Sequence, residues 1–332
     1  MLRLFAPPVF ISLATLLAVY AWGGFPALAL ACLLSVLEVT LSFDNAVVNA
    51  KVLAEMSPVW QRRFLTWGIL FAVFGTRLVL PILIVAAAAA LSPFAAAAIA
   101  LSDPAHYAEL LEEAGAAISA FGGAFLLMVS LKYFFDEAKE VHWLRLVERR
   151  LARWGRFEAI EIALVLLATL ILGHLAETDA VPVFTAGILG IVVFVVMQGA
   201  ASAVRLETRA LAGSGAVLFL YLNILDSAFS LDGVVGAFAI TKNLPVIVAG
   251  LGIGAFFVRT LTVFLVERKT LAALPYLEHG AHWAIFGLAL SMFAELIVPV
   301  PEALTALVGF VFISLAYISS LRERRRSATA AV

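Results

Sequence analysis

The stretch that decides the fold is residues 37–47, which read LEVTLSFDNAV and lie within a long apolar segment. It places Glu38 and Asp44 six positions apart among hydrophobic neighbours. A second stretch, residues 225–235, reads LDSAFSLDGVV and gives Asp226 and Asp232 the same spacing. Chance similarity rarely matches two acids at identical spacing in two apolar segments, so the pair indicates an internal repeat.

The composition around these motifs is that of a membrane protein. Of the 332 residues, 64% are hydrophobic and only 14% are charged, whereas a soluble domain has about 25% charged residues. Several apolar runs also exceed the ~18 residues that mark a transmembrane helix. The net charge of −1 gives no indication of a nucleic-acid partner, and the single cysteine, Cys32, excludes an intramolecular disulfide framework.

The hydrophobic segments predict an all-α polytopic membrane protein with about ten transmembrane helices. They cover residues 5–23, 25–50, 64–91, 116–135, 158–175, 181–200, 214–240, 245–267, 281–298 and 303–321.

The basic residues predict the orientation. With the N-terminus in the cytoplasm, nineteen lysines and arginines fall in inside segments and only Lys242 falls outside. The two others, Arg77 and Arg259, lie within predicted spans. Positively charged residues concentrate on the cytoplasmic side, so we expect both termini in the cytoplasm and the chain in a bacterial inner membrane.

The first segment has a second interpretation. Arg3 precedes an apolar stretch, as it would in a cleaved signal peptide. Pro7, Pro8 and the uninterrupted run into the next segment favour a retained transmembrane helix.

The two motifs predict how the spans are organised. They lie in the second and seventh segments, which are five spans apart and therefore cross the membrane in opposite directions. We expect one five-span repeat in residues 1–175, an inverted copy in 181–321 and a basic cytoplasmic tail in 322–332. Transporters of this plan bind their cargo at the repeat interface, near the bilayer midplane.

The first repeat also contains a basic segment, residues 138–156. Its apolar residues recur at helical spacing between arginines, which predicts either an amphipathic helix on the cytoplasmic leaflet or a solvated connector; they are Val141, Leu144, Val147, Leu151 and Trp154.

Ionisable residues within the spans point to a site. They are Glu38, Asp44, Arg77, Asp226, Asp232, Arg259 and Glu295. Each would cost ~2.5–3.5 kcal/mol at a helix centre, so we expect them to face the protein interior. Two ion pairs could neutralise both arginines, and three of the five acids would then have no basic partner within the spans. Glu295 is either a proton relay or a paired interior acid.

The sequence between the paired acids predicts broken helices. Acids six residues apart on a continuous helix diverge by ~120° around its axis. Ser42-Phe43-Asp44-Asn45 and Ser230-Leu231-Asp232-Gly233 are weak helix formers. Breaks there would let the acids converge. The alternative is a continuous helix whose serines bond back to the carbonyl four residues earlier.

The candidate ligands are oxygens, and no cysteine or histidine lies near either motif. This set suits hard divalent cations such as Mn²⁺, Ca²⁺ or Mg²⁺. Four acids and two arginines leave two negative charges, which one divalent cation neutralises. Carboxylates come from Glu38, Asp44, Asp226 and Asp232, hydroxyls from Thr40, Ser42 and Ser230, and amides from Asn45, Asn49 and Asn223. We predict no enzymatic constellation and no permanently bound cofactor.

At these motifs the chain resembles the TerC family of integral membrane proteins, within the LysE superfamily of exporters. Residues 37–49 and 225–235 carry the likeness, nearest to a branch of uncharacterised proteins linked to tellurium-resistance genes. The resemblance implies metal efflux, with manganese the leading cargo. It also implies that the acidic site consists of Glu38, Asp44, Asn45, Asp226 and Asp232.

We therefore expect a secondary transporter that exports Mn²⁺ or Ca²⁺ in exchange for protons or Na⁺. The alternatives are an exporter of a small organic cation or amino acid, and a non-transporting scaffold of a metal-stress complex. We expect the protein to be embedded in a lipid bilayer, and a homo-oligomer is a further possible assembly.

Within the transporter hypothesis, Asp44 would belong to the inner access path and Asp232 to the outer one. His174, Glu177 and Asp179 form either an exit site or an ordinary helix terminus.

Overall fold

The computed structural model describes residues 2–176, 180–207, 214–268 and 270–330, apart from some side chains, including that of Asp232. Every regular element in these ranges is helical. In chain order they are α1 (Leu2–Leu41), α2 (Phe43–Ala54), α3 (Pro58–Leu70), a π-helical stretch (Phe71–Val79), α4 (Leu80–Ala88), α5 (Pro93–Ser102), α6 (Pro104–Glu113), α7 (Gly115–Phe134), α8 (Arg145–Trp154), α9 (Ile160–Leu175), α10 (Ala180–Glu207), α11 (Ser214–Ile240), α12 (Leu244–Glu267), α13 (Thr270–Ala273), α14 (Leu277–Glu295) and α15 (Glu302–Ala330).

Each of the ten predicted segments coincides with a helix or a continuous run of helices. In the described ranges six helical segments are long and apolar enough to cross a bilayer: Leu4–Leu41, Pro58–Ala88, Gly115–Phe134, Ala180–Ala203, Leu244–Glu267 and Leu304–Arg326. The chain is thus an all-α, multi-pass membrane protein, as the sequence predicts.

Helix α1 contains two antiparallel legs that meet at Gly24, whose φ of 68° and ψ of −163° are not helical. Phe5 packs edge-on against Phe264, while Glu38 lies against Gly254. A straight helix from Phe5 to Glu38 would be ~50 Å long, but the matching positions of α12 are only ~15 Å apart. The chain must therefore reverse between them, which accounts for two predicted spans in one helical run.

The acidic stretch between the third and fourth predicted segments folds into two helices that we did not predict. Ser92 Oγ accepts a hydrogen bond from the Ala95 amide at the start of α5. Asp103 Oδ1 accepts one from the His106 amide at the start of α6. A proline follows each of these caps directly. The pairing of a polar cap with proline at the first helical position is a helix start signal.

Small residues bring the helices close together around the middle of the bundle. A Cβ atom on Gly254 of α12 would overlap Glu38 of α1, and one on Gly122 of α7 would overlap Met292 of α14. Glycines at helix crossings let backbones approach in membrane proteins. This close packing encloses the acidic motifs, which lie on the second leg of α1, on α2 and on α11.

Candidate ion-binding site

The first motif lies at a helix break. α1 ends at Leu41 and α2 begins at Phe43, with Ser42 at φ −98° and ψ 14° between them. The Ser42 hydroxyl donates to Glu38 Oε1 over 2.9 Å. Asp44 then falls in the first turn of α2, where its Oδ1 accepts from the Asn45 amide at 2.8 Å. The predicted break is confirmed here.

The predicted break in the second motif is wrong. α11 runs without interruption from Ser214 to Ile240. The Ser227 hydroxyl bonds back to the Asn223 carbonyl at 2.7 Å, a local arrangement that a continuous helix accommodates. The Asp232 backbone lies within this helix, but its side chain lies outside the described part of the structure.

The first acid of each motif forms a buried ion pair with an arginine one span later. Arg77, at the end of the π-helical stretch, donates from Nη2 to Glu38 Oε1 and from Nη1 to the Ala72 carbonyl. Arg259 Nη2 lies 3.0 Å from Asp226 Oδ2. None of these four charged residues is more than 4% exposed. Two of the intramembrane acids are therefore neutralised inside the protein.

Arg259 has further partners that fix its guanidinium. Its Nη2 also donates to Asn223 Oδ1 at 3.1 Å, and its plane lies 4.2 Å from the ring centroid of Phe64. Asn223 in turn donates from Nδ2 to the Phe219 carbonyl. Asn223 thus positions the arginine, and both of its amide atoms are already engaged.

The two motifs contact each other reciprocally. Asn45, the residue after Asp44, donates from Nδ2 to Asp226 Oδ1 at 2.7 Å. Gly233, the residue after Asp232, lies against Glu38, because an added Cβ would be 3.4 Å from Glu38 Oε2. In each contact the first acid of one motif meets the residue after the second acid of the other. This is the pattern that a pseudo-two-fold axis produces.

A small, partly open cavity of about 20 Å³ lies beside the first motif. Its polar lining consists of Glu38, Ser42, Asp44 and Thr305, and the rest is Leu41, Phe229, Gly233, Ala284, Leu288, Ala306 and Gly309. A volume of ~10–15 Å³ or more holds one water molecule. Two carboxylates and two hydroxyls therefore surround a space about the size of one water molecule or one bare ion.

Asp44 differs from the other described acids of the motifs. It is 4% exposed and faces the cavity, yet no lysine, arginine or histidine within the described residues pairs with it. A buried carboxylate is expensive unless a cation or a proton neutralises it. Asp44 is thus the acid that most needs a further partner.

Several buried oxygens near the motifs also have no hydrogen-bond donor among the described residues. They are Asn45 Oδ1, Asn49 Oδ1, Ser230 Oγ and, in the cavity wall, Thr305 Oγ1. Most buried polar atoms in proteins have a partner, which can be water or an ion. Thr305 was not predicted; a hydroxyl near the start of an otherwise apolar span was its only sequence signal.

Some predicted site residues lie elsewhere. Thr40 is exposed and bonds back to the Val36 carbonyl at 2.8 Å, and it is not part of the cavity lining. Glu295 lies at the end of α14, where it accepts a hydrogen bond from Ser119 at 2.9 Å. His174 is exposed, while Glu177 and Asp179 lie outside the described residues. Among the side chains that the structure describes, no three His, Cys, Asp or Glu residues cluster as a metal site.

A second polar cluster, which the sequence analysis missed, centres on Glu148 of α8 at one end of the bundle. Glu148 is fully buried and lies 2.8 Å from His279 Nδ1 and 3.1 Å from Trp283 Nε1 of α14. Lys139 Nζ lies 3.7 Å away. Burial raises the pKa of Glu148, but these hydrogen bonds and positive charges outweigh it and lower the pKa to about 2.

At the same end of the bundle, α2 is tied to α14. Lys51 forms an ion pair with Glu278, and Tyr133 of α7 stacks on His282 with 3.6 Å between ring centroids. The Lys139 ammonium group also lies over the Tyr133 ring, with Nζ 4.0 Å from the ring centroid. These residues close the bundle on the side of α8, which we call the basic side.

The comparison with known proteins identifies a family without an assigned activity. The family described as protein of unknown function DUF475 matches residues 43–327, a range that contains Asp44, Glu148 and the whole second motif. No curated protein and no solved structure gives a significant match. The match covers most of the chain, which therefore belongs to the DUF475 family.

Proposed function

We propose that this protein is a secondary transporter that exports a divalent metal cation through the cavity beside Asp44. We further propose that it is a TerC-like member of the LysE superfamily, on the strength of the two motifs. The single observation that carries the proposal is the buried Asp44 carboxylate, which has no cationic partner among the described residues and faces a small cavity lined partly by oxygens. A cation is the cargo whose charge would complement this arrangement.

The charges of the motifs support a cation. Arg77 and Arg259 neutralise Glu38 and Asp226, so neither arginine is the counter-ion of Asp44. We propose Asp232 as the second acid; Gly233, the next residue in the chain, lies beside Glu38. A divalent cation bound between Asp44 and Asp232 would leave the site neutral, and protons on the same carboxylates would do so in the return step.

The donors support a hard ion. The polar groups of the cavity are carboxylates and hydroxyls, which suit Mn²⁺, Ca²⁺ and Mg²⁺ better than Cu⁺ or Zn²⁺. Within this group we favour Mn²⁺ because of the TerC resemblance, with Ca²⁺ second. A space of about 20 Å³ is too small for an amino acid or other organic cation in this conformation, which favours an ion.

The direction of α2 supports the proposed access paths. From Asp44 the helix runs toward Lys51, which lies on the basic side. If that side is cytoplasmic, as the basic residues predict, Asp44 belongs to the inner path and Asp232 to the outer. Cysteine labelling that placed residues 136–157 outside the cell would overturn this orientation.

The decisive experiment is ion flux into proteoliposomes that contain the full chain. We expect Mn²⁺ or Ca²⁺ transport in the wild type and its loss in Asp44→Asn. Two controls should keep their flux: Thr40→Val, which changes an outward-facing hydroxyl nearby, and Glu112→Gln, which removes an exposed acid on α6. Full transport by Asp44→Asn would reject the site, and no flux in the wild type would favour the scaffold alternative.

A further inference from the structure

Helix α8 has a fixed rotation relative to the rest of the bundle. Glu148 and Ala152, one turn apart, are its buried residues. Glu148 contacts His279 and Trp283 of α14 and also accepts from the backbone amides of Trp143 and Leu144. The face of α8 that carries Glu148 and Ala152 is therefore packed against the protein. The rest of the helix surface, which can be divided into two flanks, is largely exposed.

The two free flanks differ in chemistry. One is a stripe of arginines at four-residue spacing, Arg145, Arg149 and Arg153, with Arg150 beside it, all exposed. The other is apolar and carries Val147 and Trp154, each about half exposed. Leu146, 82% exposed, lies between Arg150 and Arg153 on the basic flank. Phe157, just beyond the end of the helix, is 66% exposed. A helix with a basic flank next to an apolar flank has the form of a membrane-surface helix.

The position of α8 in the chain agrees with this form. It lies between α7, which ends at Phe134, and α9, which begins at Ile160. Both neighbours are apolar helices that continue into the bundle, so we expect α8 to lie at the level where lipid headgroups meet water. Phe157 and Trp154 are suited to that depth because aromatic side chains favour the interface.

From these observations we propose that α8 binds anionic phospholipid headgroups with its arginine stripe while its apolar flank enters the adjoining acyl region. A surface that only needed solubility, or that bound nucleic acid, would have no use for an exposed apolar flank parallel to the arginines. The binding is also connected to the cavity, because Glu148 joins α8 to α14 and α14 lines the cavity through Ala284 and Leu288. Lipid binding at α8 does not depend on which ion the protein transports.

The test is thermal unfolding of the purified full chain in an uncharged detergent, with added phosphatidylglycerol or phosphatidylcholine. We expect phosphatidylglycerol to raise Tm and phosphatidylcholine to have little effect, since a ligand that binds the folded state stabilises it. The variant R149Q/R150Q/R153Q should lose most of this shift. The matched control R322Q/R324Q/R326Q, which removes three exposed arginines of α15, should keep it.

Several outcomes would overturn the proposal. They are an absent shift in the wild type, an equal shift with phosphatidylcholine, an equal loss in both triple variants, or the same shift with inorganic phosphate alone. A second measurement is needed if a variant has a different Tm even without added lipid. Native mass spectrometry should show less bound phosphatidylglycerol on R149Q/R150Q/R153Q than on the control, and equal amounts would reject the site.

Discussion

Asn45 and Asp226 are joined by a 2.7 Å hydrogen bond across 181 positions of the chain. The bond links α2 to α11 and therefore links the two motifs directly. The Asp226 carboxylate lies between this amide and the Arg259 guanidinium, so a neutral residue of one motif completes the ion pair of the other.

Replacing Asn45 with alanine should weaken the junction. The substitution removes a donor from a buried carboxylate, and hydrogen bonds to charged groups contribute ~1.5–3 kcal/mol. We expect a lower Tm for Asn45→Ala in detergent. Asn45→Asp should be worse, because it places a second carboxylate next to Asp226; equal Tm values for the two variants would contradict this account of the junction.

Asp226→Asn should destabilise the protein more than Asp44→Asn. The first change leaves the buried Arg259 without its counter-ion, and breaking a buried ion pair costs ~3–5 kcal/mol. The second removes a charge that has no described cationic partner. Thermal unfolding of both variants tests the difference. The double variant with Asp226→Asn and Arg259→Gln should recover part of the loss, and no recovery would argue against the pair.

Gly254→Ala should disturb the site through Glu38. A methyl group at Gly254 would overlap Glu38 Cβ and Cγ, and overpacking of this kind costs ~1–3 kcal/mol. The control is Gly199→Ala on α10, where an added Cβ meets nothing within 4 Å. We expect a reduced Tm and reduced ion flux only for Gly254→Ala. Equal behaviour of the two alanine variants would show that this helix crossing is looser than the structure indicates.

The contribution of Glu148 to stability should depend on pH. Its pKa is about 2 in the folded protein, below the usual 4.5, because His279, Trp283 and Lys139 favour the ionised form. A depressed pKa stabilises the fold above about pH 4.5, and this stabilisation is lost as the pH falls toward 2. The difference corresponds to ~3 kcal/mol at neutral pH.

The measurement is Tm against pH for the wild type and Glu148→Gln. We expect the two Tm values to be well separated at neutral pH and to converge as the pH falls below about 4.5. Glu140→Gln, which changes an exposed acid in the same segment, should follow the wild type throughout. A Tm difference that stayed constant down to the acid limit would show that Glu148 acts by packing rather than by charge.

The transmembrane helices and much of the site could be predicted because a charged side chain inside a bilayer carries a high free-energy cost. Charged residues in apolar segments must therefore face the protein interior and find partners there. Arg77 and Arg259 required acidic partners, and Glu38 and Asp226 are those partners. The break at Ser42 followed from weak helix formers around Asp44. The same reasoning failed in α11, where Ser227 bonds back to its own helix and the chain stays continuous.

Other features depend on contacts that local sequence does not encode. Thr305 reaches the cavity only because α15 packs beside α14, and its hydroxyl looks like any other polar residue near a helix start. Glu148, among arginines, has the sequence environment of a solvated acid, and its burial against α14 comes from tertiary packing. Which flank of a helix faces the protein is decided by its neighbours.

The tight reversal at Gly24 has a consequence for how the protein is made. Both legs of α1 are apolar, and the turn between them exposes uncharged residues, among them Tyr20, Trp22 and Phe25. A newly synthesised chain therefore has no hydrophilic loop to export between these legs, and we expect the pair to leave the translocation channel sideways as one preformed hairpin. Both legs of α1, 40 residues together, would have to emerge from the ribosome before the first leg could settle in the bilayer.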